Sequence, residues 1–236
     1  MGVFKSPLRT VLIVLVSLFG VLQDHSAVYT ADTQYRPDPL PSYDWWRAKV
    51  KQQAANSQNQ SFQGCLFGDS ISSALGDPLA VGVANFAMGG LSSVSLVQQL
   101  KVLNGAGIKC QQAVIAIGTN DAGYAIQNAD FVDNLMQSVE LVHQMGATQI
   151  TLIPAFYSTV EASRDPSLAG PIARVDEINV LIHRVAAAEN VPIVEDGLQP
   201  LYFNKSLKQE MTFDGVHLND NGKQIYRQVV QRILGF

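Results

Sequence analysis

Five short apolar runs recur after residue 60: Phe62–Gly68 (FQGCLFG), Val83–Met88 (VANFAM), Gln112–Gly118 (QAVIAIG), Gln149–Ala155 (QITLIPA) and Val191–Asp196 (VPIVED). Each is too short for a helix and shows no strict polar alternation, which suits strands covered on both faces. Between them the apolar positions change to helical spacing, in SSVSLVQQLKVL after the second run, ADFVDNLMQSVELVHQMG after the third and IARVDEINVLIHRVAAAEN after the fourth. YDWWRAKVKQQAANS precedes the first run and NDNGKQIYRQVVQRIL closes the chain with the same spacing. Strand and helix in alternation predict a parallel sheet with helices on both faces. In such a sheet reactive groups gather beyond the carboxyl ends of the strands.

The N-terminal pattern is different. Lys5 and Arg9 precede an apolar run from Val11 to Leu22, which Gln23, Asp24 and His25 then break. A run of that length matches a secretory leader better than the ~20 residues needed to span a bilayer. Residues 1–31 therefore read as a signal peptide or an N-terminal membrane anchor, and export to the periplasm or the exterior is expected. Tyr29 and His25 stand where a cleavage signal wants small residues, which leaves an uncleaved tether open. Residues 32–42 carry three prolines and read as a spacer, with one domain over 43–236.

Composition narrows the function classes. Sixteen basic against 20 acidic residues, with neither sign in a long run, argue against a nucleic-acid partner. Two cysteines are too few for a disulfide scaffold or a structural zinc site. Counting back from Ser70 and Asn120, if both stand at one sheet edge, separates Cys65 and Cys110 by roughly 16 Å along the strands. Two free thiols are expected on that count.

The ends of the strands hold the candidate chemistry. After the first run comes GDSIS, in which Gly68 permits a tight turn and Asp69 and Ser70 leave the strand. Asp or Ser there serves equally as a helix cap or, for Ser70, as a nucleophile. After the second comes MGGLSS, with paired glycines that let backbone N–H groups approach a ligand and with Ser92 or Ser93 as a cap. After the third comes GTNDAG, where the Asn120 amide can donate to an oxyanion and Asp121 can hold the loop, although Asn and Asp also form ordinary turns. The long stretch AFYSTVEASRDPSLAGP after the fourth run borders the same edge; Phe156 and Tyr157 either offer apolar contact or close the core.

Four histidines can be compared. His25 lies in the leader, His143 near the end of a helix and His183 within another. His217 stands in a loop, three residues after Asp214 and just before Asn219 or Asp220 as cap of the last helix. A carboxylate at that spacing can accept from Nδ1 and leave Nε2 for a serine hydroxyl. No second histidine or acidic cluster lies at metal-ligand spacing, so no metal and no cofactor are expected.

Taken together, FGDSIS, NFAMGGLS, IGTNDA and DGVHLN resemble the four ordered blocks of the SGNH hydrolases, the GDSL-type esterase and lipase family. The resemblance runs from about Phe62 to the C terminus, with Ile71 where the short family name has Leu. It implies a three-layer α/β/α sandwich of flavodoxin-like type with about five parallel strands. It also implies Ser70 as nucleophile, His217 as general base, Asp214 as its orienting partner, and Ser70 N–H, Gly90 N–H and the Asn120 side chain as oxyanion hole. Gly90 is chosen over Gly89 because it stands five residues after Asn85. The expected activity is hydrolysis of small-molecule, lipid or carbohydrate esters through an acyl-enzyme. Acyl transfer on the same site and an exported, non-catalytic binding protein are the alternatives.

Overall fold

The computed structural model describes residues 1–2 and 38–236. Most of the segment expected to be a leader and spacer lies outside the described residues. Asp38 contacts the domain, its carboxylate accepting from Leu40 N–H (2.9 Å) and from the Ser92 hydroxyl (2.5 Å). Leu40 itself is buried. Among the described residues no helix is long and apolar enough to cross a membrane.

The elements in chain order are α1 (Asp44–Asn56), β1 (Ser61–Gly68), α2 (Ser70–Ser73), β2 (Val83–Asn85), α3 (Ser93–Gly105), β3 (Lys109–Ala116), α4 (Thr119–Gly123), α5 (Asn128–Gln144), β4 (Gln149–Ile153), α6 (Ile172–Glu189), β5 (Tyr202–Phe203), β6 (Ser206–Leu207) and α7 (Asp220–Leu234). Strands β1 to β4 form a parallel sheet in the order β2-β1-β3-β4. The fifth apolar run lies beside β4 but contributes a single bridge, Leu152 to Ile193. A two-stranded antiparallel hairpin, β5–β6, was not legible in the pattern.

Alternation along the buried strands divides the core in two. Cys65, Phe67 and Ile115 face α1, α3, α5 and α6, while Leu66, Val114 and Ile153 face Tyr226, Val229 and Val230 of α7. Three layers result, with four long helices on one face of the sheet and one on the other. Local signals set the helix ends. Ser92 caps α3 in a reciprocal arrangement with Ser95, and Asn219 caps α7 by accepting from Gly222 N–H.

Cys65 and Cys110 are joined in a disulfide, with Cα atoms 5.9 Å apart, which corrects the expectation of free thiols. The pairing register shrinks the counted separation. The β1–β3 ladder pairs Gly68 with Ala116, so Ser70 is level with Gly118 and not with Asn120. Cys65 then pairs with Ala113 and Cys110 with Phe62, so the two cysteines stand three residues apart along the strands, not five.

Candidate active site

The sheet order reverses direction between β1 and β3, so the crevice beyond their carboxyl ends is a topological switch point. Both strands finish at the same level, because Gly68 and Ala116 are partners. From β1 the chain turns immediately into α2. Asp69 caps that turn, its carboxylate accepting the Ile71 N–H at 2.9 Å, and Ser70 becomes the first helical residue. The turn is tight enough that a Cβ on Gly68 would come within 2.5 Å of Ser72 Oγ and 2.8 Å of the Ala116 carbonyl. Ser72 in turn bonds the buried Tyr226 hydroxyl at 2.8 Å, which ties α2 to α7. Burial pushes the Asp69 carboxyl up to about 6, against the opposing effects of the Ile71 N–H and nearby His217.

His217 reaches the same place from the far end of the chain. Its Nε2 lies 2.9 Å from Ser70 Oγ and its Nδ1 lies 2.6 Å from Asp214 Oδ2. The other Asp214 oxygen accepts the N–H groups of Val216 (2.9 Å) and His217 (2.7 Å). Burial works to raise the Asp214 pKa, but these hydrogen bonds outweigh it and hold the carboxyl below its ordinary value. Thr212 closes the loop: its hydroxyl donates to the His217 carbonyl at 2.6 Å and accepts from Gly215 N–H at 2.9 Å. From the stretch that follows β4, Thr159 N–H donates to the Gly215 carbonyl at 2.8 Å. The Phe213 ring, largely exposed, stacks on the His217 imidazole with centroids 5.8 Å apart and planes 13° apart.

Gly90 and Asn120 flank this group. Gly90 has φ +76°, a left-handed conformation that favours glycine, and its carbonyl accepts from the Tyr124 hydroxyl at 3.2 Å. The preceding Gly89 runs beside the nucleophile candidate, since a Cβ there would stand 4.0 Å from Ser70 Cβ. Asn120, in α4, donates one amide N–H to the Leu91 carbonyl at 2.9 Å. Its neighbour Asp121 is fully buried, and both its carboxylate oxygens lie 3.0 Å from Ser93 N. Burial raises the Asp121 pKa to about 7, and the Asp38 carboxylate pushes the same way.

Ser70, Asp214 and His217 are thus joined by hydrogen bonds, while Gly90 and Asn120 are held beside them through the Gly90–Leu91 backbone. The other two histidines among the described residues are accounted for without chemistry, His143 by the Ala147 carbonyl (3.0 Å) and His183 by Glu195 (2.8 Å). Phe156 and Tyr157 close the core: Phe156 packs on Tyr226, and the Tyr157 hydroxyl bonds Asp176. The later part of that stretch does reach the site, where Pro166 and Leu168 join Thr119, Asn120, Tyr124 and Val216 around a cavity of about 210 Å³. Sequence reasoning also passed over Asn85 as anything but a spacing marker. Its buried amide donates to the carbonyls of Ser72 and Gly76, both at 2.9 Å, and so fixes the segment after Ser70. An amide at the end of an otherwise apolar strand was the available signal.

Comparison with known proteins follows the same lines. A GDSL-like lipase from Bacteroides thetaiotaomicron superposes with a TM-score of 0.65 at 19% identity, covering 80% of this chain and 96% of its own. A lipase/acylhydrolase from Enterococcus faecalis gives 0.57 at 23% identity, with 73% and 95% covered. A catalytic mutant of an acetylxylan esterase from Geobacillus stearothermophilus gives 0.55 at 18% identity, with 73% and 94% covered. Likeness at such identities speaks for the fold. No curated protein matches the sequence. Residues 66–225 match the GDSL-like Lipase/Acylhydrolase family, which is more than half of the chain, and the protein belongs to that family.

Proposed function

We propose that the protein hydrolyses carboxylic esters through an acyl-enzyme on Ser70. The observation that carries this reading is the unbroken chain of hydrogen bonds from Ser70 Oγ through His217 to Asp214, at 2.9 and 2.6 Å. As Ser70 Oγ bonds to the ester carbonyl carbon, its proton passes to His217 Nε2, and the carbonyl π electrons move onto oxygen. The N–H groups of Ser70 and Gly90 and the Asn120 amide receive that oxyanion. Collapse of the tetrahedral species breaks the bond to the alcohol oxygen, which takes the proton from His217. A water then repeats the sequence on the acyl-enzyme, releasing the acid and restoring Ser70. Asp214 stays ionised throughout, holding the ring tautomer that leaves Nε2 unprotonated at the start and stabilising the imidazolium that forms.

The cavity beside Asn120 supports a short acyl group. Four of its lining residues belong to α4 and the turn after it and only Val216 to the histidine loop, so it suits the acyl side of the ester and leaves the alcohol near His217. At about 210 Å³ it is smaller than the roughly 300–1,000 Å³ typical of pockets for drug-sized ligands. Export is also proposed, supported by the apolar leader and by the buried Cys65–Cys110 disulfide, a bond that persists in oxidising compartments.

A series of aryl esters from acetyl to long acyl, assayed beside the Ser70→Ala variant, tests the reading. Turnover should be greatest for the short members and should disappear in the variant. Turnover equal in both proteins, or absent on every ester, would remove the assignment.

A further inference from the structure

The stretch that leads into the domain touches the loop from which Gly90 is proposed to act. Leu40 is buried, and its two methyl groups stand 3.4 and 3.6 Å from where a Cβ on Gly90 would be. On the same side the Tyr124 hydroxyl holds the Gly90 carbonyl. Two residues on, Asp38 Oδ2 accepts from the Ser92 hydroxyl at 2.5 Å and from Ser95 N–H at 3.2 Å, while its Oδ1 accepts from Leu40 N–H at 2.9 Å. The turn that follows Leu40 is tied to α1, because Arg47 donates to the Pro41 carbonyl at 2.8 Å.

The loop Gly90–Leu91–Ser92 has no regular secondary structure of its own to define it. Its conformation depends on what packs around it. Leu40 and Tyr124 bracket Gly90, Asn120 takes the Leu91 carbonyl, and Asp38 takes the Ser92 side chain. Gly90 in a left-handed conformation can swing its N–H with little steric resistance, since it lacks a Cβ. A donor aimed at an oxyanion must be held rigidly to be effective.

We propose that Asp38 and Leu40 are positioning residues for the oxyanion loop, so that the segment joining the leader to the domain governs turnover by holding Gly90 in register with Ser70. This inference rests on the oxyanion role proposed for Gly90. Asp38 sets the entry of α3 and the Leu40 backbone together; Leu40 then presses on the glycine. The effect belongs to the transition state more than to substrate binding, because the ground-state carbonyl depends less on these donors than the oxyanion does.

The full-length protein, assayed on an acetyl aryl ester, provides the test. Leu40→Ala and Asp38→Asn should each lower kcat by about tenfold with KM within about twofold, the signature of a displaced transition-state donor. Leu40→Met should recover most of the loss. Val50→Ala, in the same core but on α1, is the control: it should lower the melting temperature comparably and leave kcat within about twofold. Unchanged kcat in Leu40→Ala and Asp38→Asn, or a loss no larger than that of Val50→Ala at matched melting temperature, overturns the proposal. Should Leu40→Ala not fold, Asp38→Asn decides alone. Failure of the ester hydrolase reading would show separately, as turnover indifferent to Ser70→Ala.

Discussion

One Asn120 amide N–H bonds the Leu91 carbonyl at 2.9 Å, and the proposed oxyanion role falls to the second. Asn120→Ala should therefore lower kcat by about 10²-fold or more, the usual cost of one oxyanion donor, with a small change in KM. Steady-state rates on the best ester of the series measure this, and normal turnover in the variant would sink the role. The candidate residues were legible because each interrupts an apolar run at its carboxyl end: Ser70, Gly90 and Asn120 after strands, Asp214 and His217 in the last loop. Phe213, Asn85 and Leu40 were not, since what they touch lies elsewhere in the chain or depends on ring orientation. A phenylalanine beside an aspartate in sequence does not announce a stack on a histidine four residues later.

At the scale of elements, Asp121 links α4 to the start of α3 through Ser93 N–H, and its pH behaviour gives a further check. Its carboxyl rises from 3.8 to about 7 in the folded protein, and that of Asp69 from 3.8 to about 6, in both cases chiefly by burial. A raised carboxyl pKa means that the folded state holds the proton more tightly than the unfolded chain. The stability these two groups contribute is thus greatest below the unfolded value of 3.8 and declines as pH rises towards about 7. Asp214, held low by its hydrogen bonds, acts in the opposite sense, and its loss appears only as pH falls below the ordinary carboxylate range. The melting temperature should accordingly be higher near pH 5 than near pH 8, and Asp121→Asn should flatten much of that slope. A wild-type melting temperature that rises across this interval would contradict the assignment. The helices themselves were readable, because caps and apolar spacing are local. The fifth strand was not, because VPIVED has the composition of a strand yet meets β4 at one bridge only. Pairing is a property of two segments.

For the whole molecule, the Cys65–Cys110 bond closes a 45-residue separation between β1 and β3. On the chain-entropy account a loop of that size contributes about 4 kcal/mol. Replacing both cysteines by alanine should lower the melting temperature by about 10 °C in a domain of this length. Thiol titration of the unfolded protein without reductant should find no free thiol; two would refute the pairing. Several properties follow from the amino-acid sequence by itself: the parallel α/β class, the place of Ser70, Gly90 and Asn120 beyond strand ends, and the spacing of Asp214 and His217 in the last loop. All of these rest on periodicity and short-range spacing, which the chain carries in one dimension. Only the tertiary structure decided which strands pair and in what register, that Cys65 and Cys110 are joined, and that Asp38 and Leu40 reach the glycine loop. Those depend on register and on packing between segments tens of residues apart, where a displacement of a single residue changes which side chains meet.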